Sequence, residues 1–332
     1  MPEKFVDPYG RDVNYLRLSV TEQCNLSCFY CRSNPLECGK KGGKALLGVE
    51  EIKSIAEVAV GLGITRIRLT GGEPLIRFDI IDIVKALSAI PGLNDLSLTT
   101  NGILLEKMAF KLAAAGLGRV NISLDSLDEA NFKNITNGGK LQSTLQGIEN
   151  SLKAGLIPLK INMVLLKGIN DHEIENFLTL TINKELDVRF IEYMPTQGPK
   201  KWSNYFLPLQ SVVKIAEKIA PLENVPGEHG GGPAQYFRLK GARGKVGLIS
   251  PLSRHFCHSC NRLRITPDGK IKPCLFSSDE IDLSDSLSSK EKIKEGFYEA
   301  LKKKPDPQKT AVNPADRVRQ YQSKRTMSQI GG

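Results

Sequence analysis

The hydrophobic and polar positions of the chain switch repeatedly between the two-residue period of a strand and the 3.6-residue period of a helix. Residues 15–20 have the strand pattern, and residues 49–62 place Val49, Ile52, Ile55 and Ala59 on one helical face. Further strands are predicted at 64–70, 96–100, 120–125, 159–166 and 188–194, and further helices at 79–89, 105–115, up to 154, and at 171–181.

Six β/α units in succession predict a parallel sheet with right-handed crossovers. No Gly-x-Gly-x-x-Gly follows the first strand, where a dinucleotide-binding fold would place it, so an open or closed barrel of β/α units fits better. Such a barrel carries its active site at the carboxyl ends of its strands. Polar segments follow four of the predicted strands, at residues 71–74, 99–102, 123–125 and 192–194.

The pattern changes after residue 194. Residues 195–208 are predicted to be a loop, 210–219 a helix, and the glycine-rich residues 227–233 a connector. Short strands at 236–239 and 246–249, a hairpin at 262–275 turning at 267–269, helices at 282–287 and 291–303, and a polar tail complete the chain. We therefore expect a barrel core at 1–220 and a C-terminal region at 221–332.

Seven cysteines occupy two short segments. Four lie between positions 24 and 38, three lie between 257 and 274, and none falls in the 218 residues from 39 to 256. An odd number of cysteines in a chain without an export signal argues against a disulfide framework. Cysteines kept for core packing would be scattered, so we interpret these clusters as metal ligands.

Cys24, Cys28 and Cys31 follow the first predicted strand with the spacing Cys-x3-Cys-x2-Cys. Three thiolates within eight residues can hold three corners of an iron–sulfur cubane and leave the fourth iron open to a substrate. A zinc site or a chance cluster is the alternative, but zinc knuckles usually pair one Cys-x2-Cys with a second pair. The spacing favours an iron–sulfur cluster.

Cys257, Cys260 and Cys274 form a second set, again three rather than four. A structural zinc site with His255 or His258 as fourth ligand remains an alternative. Arg262 and Arg264 lie beside this set, one strand repeat apart, so their side chains are expected to share a face. A zinc knot does not need such a pair, whereas a phosphate site does, because guanidinium groups pair bidentately with phosphate oxygens.

Composition narrows the class of protein. No apolar run approaches the roughly 20 residues that cross a bilayer, and the first residues lack the apolar core of a secretory signal, so we expect a cytoplasmic protein without a membrane partner. The formal charge is +10, of which +6 lies in residues 290–332, which suggests an anionic partner or a solvated tail. Only 6% of residues are aromatic, which argues against a stacking platform for nucleic acid.

Residues 24–31 (CNLSCFYC) resemble the signature of the radical S-adenosylmethionine (SAM) superfamily, and residues 71–74 (GGEP) resemble its glycine-rich SAM-binding segment. The second cysteine set, with its continuation at 261–264 (NRLR), is similar to the GTP 3′,8-cyclase family of molybdenum cofactor biosynthesis. The likeness covers nearly the whole chain. It includes residues 17–21 (RLSVT), 98–102 (LTTNG), 121–125 (NISLD), 189–194 (RFIEYM) and 331–332 (GG).

The resemblance implies an α/β fold, an incomplete (β/α)6 TIM-type barrel with a C-terminal cluster-binding extension, and a lyase activity. It implies two [4Fe–4S] clusters and SAM as cofactors. In that family a 5′-deoxyadenosyl radical removes the ribose 3′ hydrogen of GTP. C3′ then couples to guanine C8 and gives (8S)-3′,8-cyclo-7,8-dihydroguanosine 5′-triphosphate, the first intermediate of the molybdenum cofactor.

Site residues carried over from the resemblance fall into three groups. Cys24, Cys28 and Cys31 would hold the SAM cluster, and Cys257, Cys260 and Cys274 the GTP cluster. SAM contacts are expected from Tyr30, Gly72, Ser123 and Met194, and GTP contacts from Arg17, Arg68, Thr99, Lys160, Arg262, Leu263 and Arg264; Arg17, Arg262 and Arg264 are the expected catalytic residues.

The residues themselves support part of this set. Arg68 and Lys160 are cations within apolar strands, where an unpaired charge is costly. They would either face a wet cavity and meet the triphosphate or be paired on a strand face. Met194 taken alone would be a core residue. The apolar Ile330 before the terminal glycines suggests that the tail enters the barrel and positions the substrate or a catalytic arginine.

The resemblance also implies partners: GTP as substrate, an electron donor, and cyclic pyranopterin monophosphate synthase downstream, with a homodimer as one option. The chain departs from the family at Arg32, where many members have Met, and at Cys38 in the Gly/Lys-rich loop 33–45, which matches no motif position. Two rivals remain at this stage. They are a peptide-modifying radical enzyme with an auxiliary cluster and a non-enzymatic, metal-stabilised nucleic-acid-binding protein.

Overall fold

A computed structural model describes residues 4–31, 46–195, 202–226 and 232–331. Its strands form one twelve-stranded sheet in the order β12-β11-β10-β1-β2-β3-β4-β5-β6-β9-β8-β7. The eight central strands, from β10 to β9, are parallel. The strands are β1 Tyr15–Ser19, β2 Arg66–Thr70, β3 Asp95–Thr100, β4 Arg119–Ser123, β5 Leu159–Leu165, β6 Leu186–Glu192, β7 Leu222–Val225, β8 Gln235–Leu239, β9 Val246–Ile249, β10 Arg262–Ile265, β11 Lys270–Lys272 and β12 Ile281–Asp282.

Helices connect the parallel strands as crossovers. Each helix of eight or more residues buries an apolar face, as α1 does with Ile52, Ile55 and Ala59. The helices are α1 Val49–Gly61, α2 Ile80–Ser88, α3 Leu105–Ala114, α4 Glu129–Thr136, α5 Leu141–Lys153, α6 Ile174–Asn183, α7 Trp202–Tyr205, α8 Gln210–Ile219, α9 Lys290–Lys302, α10 Pro314–Arg319 and α11 Met327–Ile330.

The two faces of the sheet have opposite character. In β1, Leu16 and Leu18 belong to the hydrophobic core, whereas Tyr15 and Arg17 line a cavity on the other face. This follows from the two-residue period of a strand, which sends alternate side chains to opposite faces. The apolar core therefore lies on the helix side of the sheet, and most of the strand side chains that line the interior of the curved sheet are polar.

The predicted fold class is confirmed: the chain has the α/β barrel-type sheet with a C-terminal extension. The extension joins the same sheet, because β10 pairs with β1 and β9 pairs with β6. The boundary at residue 220 stays a prediction. None of the helices in the described ranges is long and apolar enough to cross a membrane.

Two local predictions were wrong. Residues 282–287 form the end of β12 and a single 3₁₀ turn, Ser284–Ser286, instead of a helix. The short helix α7 interrupts the loop predicted at 195–208, of which 196–201 lie outside the described residues. The polar tail, for which no element was predicted, contains α10 and α11.

Candidate active site

A cavity of about 340 Å3 lies inside the curved sheet. Interior side chains of β1 to β6, β9 and β10 line it, together with the loop that follows β1, the loop that precedes β10 and the end of the chain. Both cysteine sets face this one space. The lining includes Cys24, Cys28, Cys31, Cys257, Cys260 and Cys274, none of which forms a disulfide.

The first thiol triad, Cys24, Cys28 and Cys31, lies at the carboxyl end of β1. The chain turns tightly there, since the amide of Cys31 donates to the carbonyl of Cys28 at 3.0 Å. The amide of Leu26 donates to Cys24 Sγ at 3.4 Å. Burial and the carboxylate of Asp125 raise the pKa of Cys28 well above its usual range, so a cation bound at the triad would favour its thiolate form.

Glycines at the end of β2 fix the position of this triad. A Cβ on Gly72 would come 2.1 Å from the carbonyl oxygen of Gln23, directly before Cys24. Two backbone hydrogen bonds join the segments, from the amide of Gly72 to Thr21 and from the amide of Glu73 to Gln23. Only a residue without a side chain permits this approach. The sequence predicted close approach of these glycines to a ligand, and the structure adds their packing against the cysteine loop.

The second thiol triad, Cys257, Cys260 and Cys274, lies at the other end of the neighbouring strand. Arg262, at the start of β10, pairs with Tyr15 at the start of β1, so Cys260 lies towards the amino ends of the strands. Burial alone would raise the pKa of Cys260, but the charges of Arg262 and Lys304 lower it to about 6. The first triad is therefore beside a carboxylate and the second is among cations.

All four expected SAM contacts, Tyr30, Gly72, Ser123 and Met194, line the cavity. The hydroxyl of Tyr30 donates to Asp125 at 2.5 Å. Burial raises the pKa of Asp125 to about 6. The structure thus brings these residues into one cavity with the first triad, and their contacts with SAM stay a prediction.

Four arginines form a cationic strip across β10, β1 and β2. Arg17 is in register with Arg264 on one side and with Arg68 on the other, and Arg262 lies two residues before Arg264. Burial and the neighbouring charge of Arg264 lower the pKa of Arg17 well below its usual range. Burial also lowers the pKa values of Arg68 and Arg264 to about 10. Cations crowded together in this way need an anion, and a bound polyphosphate would supply it.

The remaining expected GTP contacts are placed differently from one another. Thr99 lines the cavity. Lys160 lies near the amino end of β5, where its ammonium is 3.8 Å from Asp187 and donates to the hydroxyl of Tyr236 at 3.3 Å. Leu263 is fully buried in the apolar core on the other face of β10, so only its backbone could reach a substrate. The roles of all three stay predictions.

The end of the chain enters the cavity. Ile330 is fully buried, and the carbonyl of Gly331 accepts a hydrogen bond from Arg264 Nη1 at 2.5 Å. Gly331 has φ +76°, and a Cβ there would come 2.0 Å from Thr70 Oγ1. Glycine is therefore required by both backbone conformation and space. Gly332 lies outside the described residues, as do Arg32, Cys38 and the loop 33–45.

Several cavity residues were missed by sequence reasoning. Arg189 donates from Nε to the side-chain oxygen of Asn162 at 2.8 Å, and both line the cavity. Glu192, by contrast, belongs to the polar segment 192–194 noted in the sequence, and its buried carboxylate accepts hydrogen bonds from the amides of Leu252 and Ser253. Arg317 reaches the cavity from α10. Strand alternation could have indicated Arg189 and Asn162, whereas nothing in the tail pattern indicated Arg317.

The donor sets fit iron–sulfur clusters. Each triad presents three sulfur ligands to the cavity. Sulfur is the ligand type that iron–sulfur clusters use, and three ligands leave one iron of a [4Fe–4S] cluster open to a substrate. Within the described ranges, no group of three or more His, Cys, Asp or Glu side chains is arranged to hold a single metal ion. Cys24, Cys28 and Cys31 would hold one cluster, and Cys257, Cys260 and Cys274 the other.

Two family models match the chain. The model described as radical SAM superfamily matches residues 18–181, and the model described as molybdenum cofactor synthesis C matches residues 186–310. The chain is 46% identical to the GTP 3′,8-cyclase of Peptoclostridium acidaminophilum over 330 residues, which is 98% of each chain. It is 45% identical to the GTP 3′,8-cyclase of Petrotoga mobilis, covering 98% of this chain and 100% of that one.

Solved structures support the fold. The crystal structure of Streptococcus suis SuiB bound to S-adenosylmethionine matches 83% of this chain and 64% of that chain, with a TM-score of 0.59 and 15% identity. Native anSMEcpe with bound AdoMet matches 87% of this chain and 80% of that chain, with a TM-score of 0.56 and 16% identity. At such low identity these likenesses concern the fold alone. By its relatives and its two matching models, the chain belongs to the GTP 3′,8-cyclase family of the radical SAM superfamily.

Proposed function

We propose that this protein is a GTP 3′,8-cyclase, a radical SAM lyase that catalyses the first step of molybdenum cofactor biosynthesis. The observation that carries the proposal is the placement of two cysteine triads at opposite ends of one cavity, with a strip of arginines between them. The five residues of β1 span about 15 Å. That distance leaves room for two ligands, one beside each triad.

The first triad is the site of radical generation. When bound there, a [4Fe–4S] cluster supplies one electron to SAM and so gives a 5′-deoxyadenosyl radical. In the proposed reaction the SAM-derived radical takes the ribose 3′ hydrogen of GTP and becomes 5′-deoxyadenosine, and C3′ adds to guanine C8. One electron from the electron donor and one proton then convert the resulting purine radical into (8S)-3′,8-cyclo-7,8-dihydroguanosine 5′-triphosphate. Tyr30, Gly72, Ser123 and Met194 hold and orient SAM.

Tyr30 and Asp125 shape the SAM side of the cavity. The hydrogen bond from the hydroxyl of Tyr30 to Asp125 holds the Tyr30 ring at the triad. The Tyr30 ring meets that of Tyr193 edge to face, with centroids 6.3 Å apart. These contacts restrict the rotamers of both rings, and a restricted site positions a reactive group with little loss of entropy on binding.

The arginine strip binds the substrate. Arg17, Arg68, Arg262 and Arg264 provide charge-assisted hydrogen bonds to GTP, and Thr99, Lys160 and the backbone at Leu263 add contacts. Cys257, Cys260 and Cys274 would hold a second cluster, which would supply a binding position for the guanine, so that base and triphosphate would be fixed at separate points. Fixing both directs the ribose towards SAM. Arg17, Arg262 and Arg264 are the proposed catalytic residues.

The proposed function also implies other proteins that act with this one. Its product passes to cyclic pyranopterin monophosphate synthase, and an electron donor reduces the SAM cluster. We infer a cytoplasmic location and no nucleic-acid partner. These inferences rest on the family and on the anionic substrate that the cationic cavity suits.

Anaerobic incubation of the reconstituted protein with GTP, SAM and dithionite tests the proposal. We expect 5′-deoxyadenosine and a cyclised nucleotide to form together, and neither to form with the Cys24→Ser variant. Omitting GTP should abolish the cyclised product and leave only slow SAM cleavage. SAM cleavage that is indifferent to GTP but accelerated by a peptide would instead support the rival peptide-modifying enzyme.

A further inference from the structure

An arginine near the end of the chain contacts the second triad. This residue, Arg317, lies on α10. The side chain of Asn313 caps the amino end of that helix by accepting a hydrogen bond from the amide of Ala315 at 2.8 Å. Arg317 donates from Nη2 to Cys257 Sγ at 3.1 Å. On the same triad, Cys260 Sγ accepts from Arg262 at 3.9 Å. Two of the three sulfurs therefore have guanidinium donors.

The burial of Arg317 calls for an anion. Only 3% of its surface is exposed, whereas the side chain of Arg319 on the same helix is 75% exposed. Nε and Nη1 of Arg317 are also buried and make no hydrogen bond within the described residues. A buried guanidinium without a nearby anion is costly. A thiolate at Cys257 would supply that anion, so the position fits a charged sulfur ligand.

The chain from Asn313 to Gly331, here called the C-terminal strap, is fastened again beyond α10. The ring of Tyr321 stacks on Phe276 with centroids 3.8 Å apart. Arg325 donates from Nε to Glu280 at 2.6 Å and from Nη2 to Asp268 at 2.9 Å. α11 then leads to Gly331 in the cavity. The contacts of Arg325 with Glu280 and Asp268 are here called the carboxylate clamp. The C-terminal strap thus connects the second triad, the carboxylate clamp and the hydrogen bond to Arg264.

We propose that Arg317 is a positioning residue that couples the seating of the C-terminal strap to the redox behaviour of the cluster at Cys257, Cys260 and Cys274. This inference rests on the proposed function, which supplies that cluster. Hydrogen bonds to cluster sulfurs, and positive charge near them, favour the reduced cluster and raise its reduction potential. When the strap is seated, Arg317 acts on the cluster and Gly331 is held on Arg264. When the strap leaves, both contacts are lost.

Redox titration followed by electron paramagnetic resonance tests the coupling. The parent protein carries Cys24→Ser, Cys28→Ser and Cys31→Ser, so that only the second cluster contributes to the signal. Arg317→Gln should lower the ratio of reduced to oxidised cluster about tenfold at a fixed potential, which corresponds to a fall of 59 mV in the reduction potential for one electron. Arg317→Lys, which keeps a charged donor, should restore most of this shift. Arg319→Gln removes an exposed charge from the same helix and should leave the potential unchanged.

A second variant separates coupling from a local contact. Arg325→Ala releases the carboxylate clamp without touching a sulfur, and it should shift the potential in the same direction as Arg317→Gln. An unchanged potential in Arg325→Ala would overturn the coupling. Four irons with parental potential in Arg317→Gln would overturn the role of Arg317.

Iron content distinguishes the remaining outcomes. If Arg317→Gln loses iron, Arg317→Lys must keep four irons and a near-parental potential; loss from both variants would mean that Arg317 only holds the loop together and would overturn the inference. A parent that binds no iron would refute the proposed function and this inference with it. A parent with four irons and no shift in any variant refutes the inference alone.

Discussion

At the residue scale, the unfavourable burial of several arginines in the cavity indicates where a ligand binds. Arg17, Arg68 and Arg264 are side by side in register, and burial depresses the pKa of each. Nε of Arg17 is buried without a hydrogen-bond partner in the part of the chain that the structure describes. Such an arrangement opposes folding unless a ligand compensates for it. The strip therefore suits an anionic ligand, and in the proposed function that ligand is the triphosphate of GTP.

Alanine substitution of Arg262 or Arg264 should weaken GTP binding. Charge-assisted hydrogen bonds to phosphate contribute roughly 1.5–3 kcal/mol each, which corresponds to about one to two decades in Kd. Anaerobic calorimetry with GTP would measure the loss, and iron content should stay intact. Arg243→Ala, in an exposed turn between β8 and β9, is the matched control. Unchanged GTP affinity together with lost iron would make these arginines structural.

Glu73 should give the protein a measurable pH dependence. It accepts hydrogen bonds from Thr100 and from the amide of Asn101, yet burial raises its pKa to about 7. The unfolded chain releases this proton near pH 4.3, so the folded state binds the proton more tightly and wild-type stability falls as pH rises towards 7. Glu73→Gln lacks this loss.

Between pH 5.5 and 8, the difference in unfolding free energy between wild type and Glu73→Gln should move against wild type by about 2 kcal/mol. Thermal unfolding of the holoprotein at both pH values measures it. The exposed Glu129→Gln, which makes the same chemical change, should keep a constant difference from wild type. Parallel pH profiles for wild type and Glu73→Gln would contradict the burial argument.

At the scale of elements, periodicity predicted the sheet well because its two faces differ so clearly in polarity. The helix at 210–219 and the strand at 246–249 have the predicted bounds, since each is closed by residues that break its pattern. β6 begins two residues earlier than predicted, at Leu186. The predicted helix at 282–287 failed because pairing of Ile281 with Ile271 in β11 outweighed local helix propensity.

From the residue pattern alone, site residues could be predicted only where they are close in sequence or lie at the ends of neighbouring strands. The cysteine triads and the polar ends of the strands belong to this group. Arg317 does not, because its role depends on how distant segments pack: it is 60 residues from Cys257. The tail was predicted to enter the barrel from Ile330 and its glycines, and Ile330 is indeed fully buried.

Gly331→Ala tests the tail as an element. The added Cβ would meet Thr70 Oγ1 at 2.0 Å, and φ of +76° disfavours any side chain. We expect the tail end to be displaced from Arg264, so that GTP cyclisation falls steeply while iron content and SAM binding persist. Deletion of Gly331 and Gly332 should act in the same way.

Gly241→Ala is the control for backbone strain alone, because it has φ +84° but no atom within 4 Å of its Cβ. It should cost about 1 kcal/mol of stability and leave turnover near wild type. Cyclisation by Gly331→Ala at the full wild-type rate would show that the tail is inert.

At the scale of the whole molecule, the sheet topology explains how one chain keeps the two cysteine triads apart. β1 and β10 are parallel neighbours, so the loop after β1 and the loop before β10 lie at opposite ends of the same pair of strands. The strand pairing fixes the separation between the triads, and the helices outside the sheet are not involved. Each triad should consequently assemble its cluster without the other.

Iron analysis of reconstituted protein measures this independence. Wild type should hold about eight irons per chain, and serine substitution of Cys24, Cys28 and Cys31 should remove half of them and abolish SAM cleavage while GTP still binds. Serine substitution of Cys257, Cys260 and Cys274 should also leave four irons, with SAM cleavage still detectable and GTP binding impaired. We expect this independence because each triad is carried by a different loop. Cys38→Ala, a cysteine outside both triads, should keep all eight. Loss of all iron from either triple variant would show that the clusters depend on each other, and stoichiometric zinc at the second triad would refute the assignment of a second cluster.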